Sequence, residues 1–164
     1  MDKKFLLAVA LLGLSANAAA QTASSTINVE IESRAITLVN NGGLDFGKVL
    51  PYGSAGTVTV YNNGTSAASN AFISDRTSIR ASSWAVTGIP GAPYGVTLPS
   101  SVVISNGTVN MTVNAFERSG SPFTSLTLDA AGNGSFTVGA RLNVGANQPV
   151  GVYAGTFNVT VSYN

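Results

Sequence analysis

The chain has no cysteine and no histidine among its 164 residues. The first absence excludes a disulfide and a thiol nucleophile. The second removes the base of a Ser-His-Asp relay, and together they remove the ordinary ligands of a zinc or haem site. Charge is scarce as well: Lys, Arg, Asp and Glu make up 9% of the sequence. That leaves no basic stripe to neutralise phosphates, so nucleic acid is not expected as a partner. Disorder normally pairs low hydrophobicity with high net charge, whereas here 45% of residues are hydrophobic and the net charge is +1. What is present is an ordered, polar-neutral composition rich in β-forming residues.

The first twenty residues read as an address. Lys3 and Lys4 precede the apolar run Phe5–Leu14, and Ala18-Ala19-Ala20 supplies the small residues of a cleavage site. The run is about half of the roughly 20 residues that span a bilayer. We therefore expect a signal peptide cleaved after Ala20 and no transmembrane segment in the mature chain. Removal of residues 1–20 takes away Asp2, Lys3 and Lys4, leaving six basic and six acidic groups. A net charge of zero favours association, as in an assembly subunit. The expected route is export through a periplasm to the cell surface or beyond. An exported chain without cysteine must be held by packing and backbone pairing.

From Gln21 onward, period-two apolar runs alternate with Gly, Pro and Asn-Gly turn signals, and no stretch has convincing helical periodicity. The pattern predicts strands at Thr26–Ile31, Ala35–Val39, Leu44–Leu50, Gly56–Tyr61, Ser83–Thr87, Gly95–Leu98, Val102–Ser105, Val109–Ala115, Ser125–Leu128, Ser135–Leu142 and Gly155–Tyr163. That number of strands suits one all-β sandwich domain. The polar segment Ser66–Ser82 is expected to be a solvated loop, with Arg76 and Arg80 in it and Lys48 nearby.

The two ends are the informative parts. At the C-terminus, Phe157, Val159, Val161 and Tyr163 alternate with Thr156, Asn158, Thr160 and Ser162, so the apolar four share one face. Near the N-terminus Ile27, Val29 and Ile31 alternate with Asn28, Glu30 and Glu32. Ile36 and Leu38 then occupy even positions, so a bulge, bend or break is needed near Ser33-Arg34. Two readings follow. An alternating segment and an unpaired edge in one chain are complementary parts of head-to-tail strand addition. Alternatively Ile27–Ile31 is the first strand of its own sandwich, bent at Ser33.

Other constellations carry less. The acidic residues of the mature chain are Glu30, Glu32, Asp45, Asp75, Glu117 and Asp129. None forms a motif for paired-carboxylate catalysis, and no enzyme activity, cofactor or metal is expected. Asp129 and Asn133 are oxygen donors for calcium in principle. The stretch Asp129–Gly134 lacks the carboxylates of a tight site and reads as turn chemistry. Trp84, Tyr52, Tyr61, Tyr94 and Tyr153 keep a carbohydrate-binding module in view. Trp84 alternates with Val86, however, which places it in a core.

Leu44-Asp45-Phe46-Gly47-Lys48-Val49 resembles the opening shared by secreted fimbrial-type β domains of the spore-coat-protein-U kind. The stretches Trp84–Pro99 and Leu142–Asn164 are similar to the middle and closing signatures of a bacterial domain-of-unknown-function family, number 4402. The wider resemblance is to chaperone–usher pilus subunits, whose immunoglobulin-like domains lack a final strand. A chaperone and then a neighbouring subunit's N-terminal extension complete those domains, and a near-terminal tyrosine such as Tyr163 is typical of them. The chain departs from many relatives in having no cysteine to tie its first strands.

The resemblance implies an immunoglobulin-like Greek-key β-sandwich missing its last strand. Residues 1–20 would be a signal peptide, 21–34 an extension holding a donor strand, and 35–164 the sandwich. Ile27, Val29 and Ile31 would be the donor side chains, and Phe157, Val159, Val161 and Tyr163 would line or border the acceptor groove. The implied function is a structural fibre subunit that polymerises with its own kind and uses a periplasmic chaperone and an outer-membrane usher. The alternative is a self-complete secreted adhesin or carbohydrate-binding module.

Overall fold

The computed structural model describes residues 25–31, 34–120 and 125–164. The expected signal peptide and its cleavage point lie outside them. Twelve strands are found among the described residues: β1 Thr37–Gly42, β2 Lys48–Pro51, β3 Gly56–Val60, β4 Ser66–Ser69, β5 Ala71–Asp75, β6 Ser82–Thr87, β7 Pro93–Thr97, β8 Ser101–Ser105, β9 Asn110–Arg118, β10 Leu126–Thr127, β11 Asn133–Val144 and β12 Thr160–Tyr163. No helix is present among the described residues. The alternation that predicted strands is a physical one. Along β11, Phe136, Val138, Ala140, Leu142 and Val144 are buried while Arg141 is exposed.

All strand pairs are antiparallel. The large sheet runs β1-β6-β11-β3-β4, with β9 also pairing β11 and β8 pairing β9. Two small sheets, β10-β7-β12 and β2-β5, make up the rest. The side chains between them form two clusters, and this packing of sheet on sheet is a β-sandwich. Trp84, Val86, Tyr94, Leu128, Phe136 and Val138 form one cluster, joined by side chains from β1, β7 and β12. Val58, Ala71, Ile73, Val113, Ala140, Leu142 and Val144 form the other, against Leu44, Phe46 and Val49. Phe116 packs against both. It sits where β9 slips register against β11 between Gly139 and Arg141, beside Ala115 in the left-handed region at φ 49°. This bulge spends an extra residue on β9 and re-aims the ring that follows.

Three expectations are corrected. Ser66–Ser82 is not a loop throughout: it contains β4 and β5, and Arg80 forms a backbone bridge with Asp45. Of Gly155–Tyr163 only Thr160–Tyr163 is paired, with β7, although the alternation of Phe157 and Val159 does turn both toward the Trp84 cluster. Residues 25–31 belong to no strand. They are part of a separate unit, Met1–Glu32, and all twelve strands lie in the unit Ser33–Asn164.

Candidate functional site

One side of the sandwich is left open. A cavity of about 790 Å³ lies between the segment 43–51, which includes β2, and the segment 148–157. Its apolar lining includes Val102 and Ile104 from β8, Met111 and Val113 from β9, and Leu142 and Val144 from β11. These are the partly buried and buried residues of the second cluster, so the cavity is a gap in the core reaching the surface. β2 pairs with β5 and with no other strand among the described residues. On the far bank, Ala154 bridges to Ser105 with paired backbone bonds of 2.9 and 3.0 Å, and the segment 155–159 has no ladder.

The banks are shaped by the motifs that stand out in the sequence. Asp45 accepts the amide of Gly47 at 2.8 Å and the hydroxyl of Ser78 at 3.2 Å. Gly47 has φ 75°, and a Cβ there would stand 2.4 Å from the carbonyl oxygen of Asp75. Only glycine allows that approach, and the turn brings Leu44, Phe46 and Val49 to the cavity wall. Opposite, Gln148 accepts the Gly145 amide at 3.1 Å and donates to the Tyr153 hydroxyl at 3.0 Å. Tyr153 in turn donates to the Pro149 carbonyl at 2.7 Å. This ring of bonds fixes the bank and leaves Val150 and Val152 exposed.

Of the four residues read as the groove, Phe157 alone lines the cavity. Val159, Val161 and Tyr163 pack into the Trp84 cluster, beneath the completed sheet β10-β7-β12. The Tyr163 hydroxyl accepts the Ile89 amide at 2.8 Å, close enough to Gly88 that a Cβ there would sit 2.3 Å from it. The near-terminal tyrosine thus locks the closed end. Phe157 marks the border, with its ring centroid 5.0 Å from Phe116 and 6.1 Å from Trp84. Ile27, Val29 and Ile31 are 93%, 81% and 88% exposed. Leu44, Phe46 and Val49 were missed as groove residues, although the Asp-Phe-Gly signal stood in the same six residues.

Electrostatics around the groove are sparse. Lys48 stands 3.1 Å from Asp75. The Thr77 amide, then the Thr77 hydroxyl and Lys48, lower the Asp75 pKa from 3.8 to about 2. Away from the groove, burial pushes the Tyr94 phenol up. The Asp129 carboxylate accepts the amides of Ala131 and Asn133, both at 2.8 Å, as a turn residue does. Among the five aromatic candidates for sugar contact, Trp84 and Tyr94 are buried and Tyr153 is engaged as described. Tyr52 and Tyr61 keep about half their surface.

Residues 36–163 match the model of a family described as Domain of unknown function (DUF4402), and the chain belongs to that family. No curated protein and no solved structure matches it.

Proposed function

We propose that this member of the DUF4402 family is a structural subunit of a fimbria- or pilus-like surface fibre, with no catalytic role. Subunits join by strand complementation: the segment bearing Ile27, Val29 and Ile31 of one copy fills the groove of the next. The observation that carries this reading is the apolar gap between β2 and residues 148–157 in a sandwich whose other half is closed. A free strand edge beside exposed apolar lining is a template for another strand. Three alternating β-branched side chains are the matching insert, each worth roughly 1.5–3 kcal/mol when buried. A chain carrying such a groove needs cover before assembly, the part a periplasmic chaperone and an outer-membrane usher play in this reading.

The test is assembly of the exported mature chain. Fibres built by enclosed strands should resist detergent at room temperature and give a ladder of multimers, because release requires unfolding of the acceptor. Val29→Asp should abolish the ladder and leave export intact. A mature chain that stays monomeric, with Ile27–Ile31 paired in its own sheet, would overturn the proposal. It would favour the self-complete adhesin or carbohydrate-binding alternative.

A further inference from the structure

On the strand-complementation reading, we infer that Glu30 of one copy lies beside Lys48 of the next and sets the register of the joint. Asp45 and Lys48 are the charged residues lining the groove. Asp45 is engaged by Gly47 and Ser78. Lys48 has a side chain 78% exposed and is steadied by one contact to Asp75. An ammonium has three donors, so a second carboxylate can share it.

Strand parity narrows what can meet it. If Ile27, Val29 and Ile31 face the groove, Asn28 and Glu30 face outward. Along β2, Val49 is half-buried against the core, while Lys48 and Leu50 are exposed. Residues opposed across a ladder point the same way, so Glu30 can stand against Lys48 or against Leu50. Leu50 pairs directly with Phe72 on β5, and both are half-exposed, forming an apolar patch outside the sheet. A carboxylate placed there would be drawn away from water without a partner. Pairing Glu30 with Lys48 in an antiparallel joint meets a cation and sets the neutral Asn28, not a carboxylate, against Leu50. Opposite charges at an exposed joint contribute modestly to strength and mainly select the correct alignment.

The absence of cysteine makes the test clean. Glu30→Cys copies are mixed with Lys48→Cys copies or with Leu50→Cys copies during assembly, oxidised, and separated on non-reducing gels. Directly opposed strand residues lie within disulfide reach, about 4.5–5.5 Å between Cα atoms. We expect cross-linking to Lys48→Cys and little to Leu50→Cys. In a second arm, Glu30→Lys and Lys48→Glu should each slow multimer formation by up to about fivefold, and an equimolar mixture of the two, in which only joints between unlike copies are favourable, should recover about half the wild-type rate at the same total concentration. Preferential cross-linking to Leu50→Cys, or failure of the mixture to recover, overturns the register while the wild-type ladder still stands. A wild-type chain with no ladder, or a ladder that Val29→Asp leaves intact, overturns strand complementation itself and the register with it.

Discussion

The two halves of the core share one strand and end differently. β11 supplies Phe136 and Val138 to the Trp84 cluster and Ala140, Leu142 and Val144 to the Val58 cluster. Over the first half lies a three-stranded sheet, β10-β7-β12, and the core is closed. Over the second lie the two strands β2 and β5 and the unladdered segment 148–157, and the core opens. The buried side chains differ in bulk, with Trp84, Tyr94 and Phe136 in the closed half against Val, Ala, Ile and Leu in the open one, and the facing layer differs in strand number, three against two. Phe116, turned by the Ala115 bulge, and Phe157 stand at the boundary.

Truncation should expose this asymmetry most strongly in the closed half. Trp84 is buried, stacked on Phe136 at 6.4 Å and edge-on to Phe157. Trp84→Ala should cost about 3–5 kcal/mol in urea unfolding of the monomer. Leu142→Ala in the open half should fall near about 2 kcal/mol, the low end for its kind, because it enlarges an existing gap where Trp84→Ala creates a new one. Equal losses at the two sites would break the comparison.

At the boundary the sign reverses. Ala115 occupies a left-handed conformation at φ 49°. Ala115→Gly should raise stability by about 1 kcal/mol, since the backbone strain exceeds the chain entropy that glycine adds.

The smallest effect lies on the rim. The Asp75 pKa is lowered from 3.8 to about 2 in the fold, so its contribution is complete above about pH 4 and is lost as pH falls through about 2. Asp75→Asn should lower stability at pH 7 and leave it little changed below about pH 2, so that the acid limb of a stability-against-pH profile flattens in that window.

What the sequence revealed follows from what alternation reports. It reports which way side chains face, and so it located β11, β6 and the inward side of Phe157 and Val159. It does not report hydrogen-bond partners. Residues 155–159 alternate as a strand does yet have no ladder beside them. β4, Ser66-Ala67-Ala68-Ser69, escaped notice because a mostly exposed edge strand of small residues has no apolar face to alternate. β5 was obscured because Phe72 points outward between buried Ala71 and Ile73, giving a short apolar run without period. The groove was legible only in part. Its terminal bank was sought in Phe157–Tyr163, whereas much of its wall comes from Leu44–Leu50, where the opening motif signalled a special turn but not which face it would line.

The open half is the central claim, and backbone amide exchange at residues 27–31 tests it most directly. In monomers these amides should exchange at unprotected rates. In assembled multimers Ile27–Ile31 should become protected together with the β2 amides facing the groove. Protection already present in the monomer, or free exchange at Ile27–Ile31 in the multimer, would contradict the account.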